Sequence, residues 1–257
     1  MRLIGRLKAA VYEKQFAGNR DANLFRGVFE SAESAVNTVP RAGKVGYDNE
    51  ESAALYDYHL VRVFAHDYPA LYWLGRCFAE GLRTVVDLGG HVGIKYYAFG
   101  RYLDYPAGLR WHVCDVPSVV NRGKEIASTR DRAGSIDFCS SPGDAAASDV
   151  LFASGSLQYL PYGVKDLLET LAESPKRIII NTTPLHPRLS FFTLNSIGAA
   201  FCPYRVVSEP ELVGTLASKG YKVVDRWECP GKPMIIPGFP EHSLDHYCGL
   251  YLEKGAG

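Results

Sequence analysis

The chain has 257 residues, 47% of them apolar, and acidic and basic side chains in equal number, 28 of each. That length suits one large domain, or a domain with an appended segment, and supplies ample material for a core. A net charge of zero with no basic cluster argues against a nucleic-acid partner and favours a small molecule. No apolar run approaches the ~18–20 residues of a membrane span, and Met1–Ala10, basic and partly apolar, lacks the apolar core of a signal peptide. The six cysteines (Cys77, Cys114, Cys139, Cys202, Cys229 and Cys248) show neither C-x-x-C pairs nor metal-ligand spacing. Reduced, buried thiols in a cytoplasmic protein without a metal site are the expectation.

From Met1 to Gly81 the patterns are helical, broken by a loop over Val39–Asp48 that is marked by its Pro and Gly content. Apolar residues at mixed three- and four-residue spacings between Ser52 and Glu80 predict one amphipathic helix, or two meeting near Pro69. This segment, residues 1–81, is expected to act as a lid or an oligomer contact. Residues 82–257 alternate strand and helix. Strands are predicted at Thr84–Leu88, Trp111–Cys114, Ser135–Phe138, Val150–Ala153, Arg177–Asn181, Tyr221–Trp227 and Tyr247–Leu252. Helices are predicted at Ile94–Leu103, Ser118–Arg130, Val164–Ser174 and Glu209–Lys219. Alternation of this kind builds a mostly parallel sheet with helices on both faces. No helical pattern separates the last two strands, so they are expected to pair antiparallel. The long stretch Thr182–Val207, with Phe191, Phe192, Phe201 and Tyr204, reads as a substrate lid, an oligomer contact or plain packing.

The first strand of the alternating region runs into Asp87-Leu88-Gly89-Gly90-His91-Val92-Gly93 and then a helix. Glycines at a strand-to-helix turn let the backbone approach a ligand, and the helix start offers free N–H groups. A pyrophosphate cofactor prefers G-x-G-x-x-G and no carboxylate beside its phosphates. Asp87 instead suits the cationic sulfonium and ammonium of S-adenosylmethionine. The second strand ends at Asp115, placed to accept hydrogen bonds from two ribose hydroxyls, a role that NAD would also satisfy. The fourth strand opens into Ser154, Gly155 and Ser156, which are cofactor-side candidates. Gln158 and Tyr159 are expected to lie closer to the substrate.

D-x-G-G-x-x-G followed by Val113-Cys114-Asp115-Val116-Pro117-Ser118-Val119-Val120 resembles the S-adenosylmethionine-dependent O-methyltransferases. Val116 stands where many of them carry Leu. The resemblance implies a class I methyltransferase fold: a seven-stranded, mostly parallel Rossmann-like sheet with an antiparallel last strand, here preceded by an N-terminal helical segment. It also implies a cofactor set of Asp87, Gly89, Gly90, His91, Gly93, Asp115 and Val116. The Gly143-Asp144 pair, with Ala145 after it, would lie beside the adenine amino group, although Pro-Gly-Asp is turn chemistry in any fold. The chain further resembles a family of predicted methyltransferases from bacterial polysaccharide-type gene neighbourhoods. The residues carrying that likeness are Phe25–Ser31, Gly46-Tyr47-Asp48, the glycine loop, Asp115-Val116-Pro117 and Ser156–Leu160.

Methylating a hydroxyl requires an acceptor held in line and a base for its proton. Among the seven histidines, His186 after the fifth strand and His242 before the last are the candidate bases. His59, His66 and His112 read as structural. Three functions remain open. The first is a methyltransferase acting on an oxygen of a sugar or related small polar metabolite; the second is an NAD-dependent oxidoreductase or epimerase. The third is a catalytically silent binding protein of the same fold. A homo-oligomer is compatible with each.

Overall fold

The structure, a computed structural model, describes residues 2–19, 22–40, 43–46, 48, 60–145, 147–197 and 200–255. Its centre is a seven-stranded sheet in the order β10-β11-β6-β5-β2-β3-β4. The strands are β2 (Thr84–Leu88), β3 (Arg110–Cys114), β4 (Ile136–Cys139), β5 (Val150–Ser154), β6 (Arg177–Thr183), β10 (Tyr221–Cys229) and β11 (Tyr247–Lys254). Pairing from β4 through β6 is parallel, and β11 alone enters antiparallel, between β6 and β10. All seven expected strands exist, with ends displaced by two residues or fewer.

Helices α3 (Tyr68–Ala79), α4 (Ile94–Phe99), α5 (Pro117–Arg130), α6 (Val164–Thr170) and α7 (Glu209–Ser218) accompany the sheet. Their starts follow local chemistry. Pro117 opens α5, where its missing N–H costs nothing, and Ser208 caps α7 by accepting the Glu211 N–H at 3.3 Å. Apolar β-strand runs bury two cores. One face gathers Trp111, Phe99, Phe152 and Leu74; the other gathers Leu151, Ile178, Ile180 and Leu216. Trp73 stacks on Tyr251 at 3.9 Å between ring centres, which pins α3 to the antiparallel strand.

The N-terminal segment departs from the helical expectation. After α1 (Arg2–Ala17), residues Asn23–Phe29 form a strand, β1, and a short helix, α2 (Ala32–Val36), follows. Pro69 lies in the first turn of α3 and does not join two helices. Residues 52–59, including His59, Tyr56 and Tyr58, lie outside the described residues, as does Tyr47. Strand β1 completes a second sheet, β1-β8-β9-β7, with β7 (Leu185–His186), β8 (Phe191–Ile197) and β9 (Ala200–Ser208). The aromatic stretch after β6 is therefore neither loop nor helix; it is three strands. Its sheet packs on the turn after β5, where the Tyr204 ring meets Tyr159 edge-on at 5.0 Å.

Candidate functional site

The C-terminal tips of β2, β3, β5 and β6 form one crevice edge, the position where open parallel sheets bind ligands. At the tip of β2, Asp87 is 1% exposed. Its Oδ2 accepts the Trp111 indole N–H at 3.0 Å, and its Oδ1 has no hydrogen-bond partner among the described residues. Burial pushes the Asp87 carboxyl up to about 7, against the lowering effects of the Trp111 N–H and the Lys95 ammonium.

The glycines of the loop are sterically required. A Cβ on Gly90 would stand 2.3 Å from Asp87 Oδ2, and one on Gly89 would stand 2.4 Å from Ser156 Cβ. Gly89 and Gly93 also hold φ of +65° and +85°, where L side chains are strained. His91, next in the loop, has φ +56° and donates its backbone N–H to Asp115 Oδ2 at 2.9 Å. The other oxygen of Asp115 accepts from Val116 N at 2.8 Å. These bonds orient the carboxylate and leave it further lone pairs. Burial raises the Asp115 pKa despite both backbone donors.

Ser156 donates from Oγ to the Leu88 carbonyl at 2.5 Å, so the β5 tip closes onto the glycine loop. Gly155, at φ +75°, donates its N–H to the Asn181 carbonyl, and Ser154 Oγ accepts from Asn181 Nδ2 at 3.2 Å. Asp144 and Ala145 sit in and just after a short turn beyond β4, Asp144 exposed and Ala145 buried, at the far edge of the row of tips. Hydrogen bonds thus join His91 and Val116 to Asp115 and Ser156 to the β2 tip at Leu88, Gly89 and Gly90 pass close to Ser156 and Asp87, and Asp144 flanks them without a side-chain link among the described residues.

The two histidines differ. His186, 4% exposed, accepts at Nδ1 from the Arg188 and Leu189 N–H groups at 3.0 and 2.8 Å. Its Nε2–H donates to the Glu241 carbonyl at 2.9 Å. Neither nitrogen is left to take a proton from an acceptor, so His186 braces two loops and is not a candidate base in this geometry. His242 donates Nδ1–H to the Glu241 carboxylate at 3.2 Å, which leaves the lone pair of the neutral ring on Nε2. Its ring packs edge-on against Phe191 at 4.9 Å.

Sequence reasoning missed the polar cluster below the β6 tip. Asp67, at the start of α3, is fully buried and binds Lys95 Nζ at 2.7 Å, Phe64 N at 3.0 Å and Asn181 Nδ2 at 3.1 Å. Asn181 Oδ1 accepts from Trp227 Nε1 at 3.0 Å. The cluster ties α3, the helix after the glycine loop, β6 and β10 together at the crevice. Its one sequence signal is Asn181 closing an Ile-Ile-Ile run. Thr182, next in line, has φ +54°, a strained conformation for a β-branched residue and a mark of constraint at the site.

No protein-family model matches the chain, and no curated protein matches it in sequence. Solved structures do match in fold. One is the 1,6-didemethyltoxoflavin-N1-methyltransferase of Burkholderia thailandensis, with bound 1,6-didemethyltoxoflavin and S-adenosylhomocysteine, at 21% identity and TM-score 0.50 over 75% of this chain and 79% of that one. Another is the magnesium protoporphyrin IX methyltransferase of Synechocystis with bound S-adenosylmethionine, at 12% identity and TM-score 0.50 over 96% of both chains. A third is an S-adenosylmethionine-dependent methyltransferase of Clostridium acetobutylicum, at 10% identity and TM-score 0.50 over 79% of this chain and 98% of that one. The chain has the class I methyltransferase fold.

Proposed function

We propose that the protein is an S-adenosylmethionine-dependent methyltransferase acting on a small polar acceptor, by O-methylation of a sugar or related metabolite. The observation that carries the reading is the Asp87 carboxyl, buried below Gly90 with one oxygen unpartnered. A buried, unsatisfied carboxyl costs free energy unless a cationic partner offsets it. Pyrophosphate would be repelled there, which disfavours the NAD alternative even though Asp115 suits a ribose of either cofactor.

The residues present fit such a cofactor. Asp87 would supply charge toward its ammonium end, and Gly89, Gly90, His91 and Gly93 would admit it at backbone distance. Asp115 would hold the ribose hydroxyls. Val116, Asp144 and Ala145 would line the adenine side, and Ser154, Gly155 and Ser156 the opposite wall. When bound, S-adenosylmethionine supplies an electrophilic methyl group on a sulfonium. The chain's own task is to place an acceptor oxygen in line with that methyl group and to remove its proton. Gln158 and Tyr159, on the turn after β5, stand on the acceptor side of the cofactor wall. His242, oriented by Glu241, is the base we assign, taking the acceptor proton at Nε2. Residues 1–81 would cover the acceptor side, since β1 of this segment shares a sheet with β8. Conversion of S-adenosylmethionine to S-adenosylhomocysteine that depends on an added hydroxylated acceptor tests the reading; no conversion across sugars, phenols and hydroxy acids would count against it.

A further inference from the structure

Beside the β5 tip lies a cavity of about 330 Å³, bounded by the turn after β5, α6, α7 and strands β8 and β9. That volume accommodates a small metabolite. Its wall is largely apolar, with Tyr162, Phe191, Phe192 and Leu212 among its residues, and polar side chains interrupt it, Gln158 and Arg205 among them. Gln158 is 5% exposed, and its Oε1 has no hydrogen-bond partner. Its amide nitrogen lies toward the β5 tip, 3.9 Å from where a Cβ on Gly155 would stand.

Arg205 reaches the cavity from β9, with its guanidinium carbon over the Phe192 ring at 5.0 Å from the ring centre. Its Nε is buried and has no acceptor, and it takes part in no ion pair among the described residues. Lys165 lines the same space. Two carboxylates also border it. Glu211 is engaged by Ser190 Oγ, and Glu30 is exposed. The buried polar demands are thus a guanidinium lacking an acceptor and an amide oxygen lacking a donor. Groups of this kind are costly when left unpaired and are ordinarily completed by something.

We infer that this cavity is the acceptor pocket, and that the acceptor carries an anionic group (carboxylate or phosphate) held by Arg205 on an apolar or ring-bearing body. A hydroxyl or amine proton of the same molecule completes Gln158 Oε1. The Arg205 guanidinium carbon lies over the Phe192 ring, and the planar fork of a guanidinium suits the two-oxygen edge of a carboxylate or phosphate. The inference rests on the methyltransferase reading for what becomes of the acceptor, but its binding test does not.

Calorimetric titration of the full chain with 4-hydroxybenzoate, phenyl phosphate and the neutral 4-hydroxybenzamide tests it. Both anions are expected to bind at least about tenfold more tightly than the amide, since a charge-assisted bond is at stake. The stronger of the two identifies the anion. Arg205→Gln should abolish the preference, and Arg205→Lys should retain part of it. Equal binding of acid and amide, a preference that survives Arg205→Gln, or no binding of either anion at millimolar concentration overturns the inference. Should Arg205→Gln fail to fold, the wild-type comparison still decides. S-adenosylhomocysteine is titrated into the same samples and should bind wild type and Arg205→Gln alike. Anion binding without S-adenosylhomocysteine binding would refute the methyltransferase reading and leave the cavity standing as an anion-binding site built on Arg205.

Discussion

The Trp111 indole donates to one oxygen of Asp87 at 3.0 Å across the β2–β3 pair, and the other oxygen of that buried carboxyl is left with no partner. The consequence is a pH dependence with two opposite signs. Burial lifts the Asp87 pKa from 3.8 to about 7, so between those values the folded protein keeps a proton that the unfolded chain has lost. The stability contributed by the protonated form is complete below pH 3.8 and is lost as pH rises through about 7. Cofactor affinity should run the other way, because the ionised carboxylate attracts an ammonium group. S-adenosylmethionine affinity should rise between about pH 6 and 8, with proton release detectable calorimetrically in buffers of different ionisation enthalpy. Asp87→Asn should keep the fold, lose the proton release and weaken binding roughly 10–100-fold, the worth of a hydrogen bond to a charged group.

Gly90→Ala sets a Cβ 2.3 Å from Oδ2 of the buried Asp87 side chain. Relief requires the loop or the carboxyl to move. The expected cost is ~1–3 kcal/mol of stability, with cofactor binding lost. Thermal denaturation and calorimetry of the variant check both, and wild-type affinity would mean that the loop is not the cofactor's cradle.

The two histidines meet at one residue, His186 on the Glu241 carbonyl and His242 on its carboxylate. His242→Gln should lower kcat by roughly 10²-fold or more, the usual worth of a general base, at unchanged Tm. His186→Ala should lower Tm through the lost loop brace while kcat of the folded protein stays near wild type. The base expectation for His186 requires the reverse, a collapsed kcat at unchanged Tm.

The sequence made the central sheet and the glycine loop legible because each rests on a local signal. Thr84–Leu88 is a short apolar run ending in Asp and Gly, and its burial follows the pattern. The second sheet gave no such signal. In β1, Gly27 sits at φ +73° and the register shifts between Arg26 and Phe29, so alternation is broken. In β8, Thr193, Asn195 and Ser196 are buried polar residues whose partners, Arg26 O, Asn23 Oδ1 and Phe16 O, come from distant sequence. In β9, Pro203 argues against a strand until its pairing is seen. Arg205 and Asp67 were missed for the same reason, since what singles each out is a partner, or the want of one, supplied by the fold. The bracing of His186 by two N–H groups and a carbonyl was likewise invisible in sequence.

Asp67→Ala would leave the Lys95 ammonium beside a vacated, fully buried position and strip Asn181 Nδ2 of one acceptor. Breaking one side of a buried pair costs ~3–5 kcal/mol. A steep fall in denaturation midpoint is expected, with cofactor affinity lowered because α4 follows the glycine loop directly. A midpoint near wild type would show that the cluster does not hold α3 and α4 in place.

The most direct test of the central claim is calorimetric titration of the purified chain with S-adenosylhomocysteine and with NAD. Saturable binding of S-adenosylhomocysteine that Asp87→Asn weakens is expected, with no heat of binding for NAD. Binding of NAD, or no binding of S-adenosylhomocysteine to the folded protein, would contradict it.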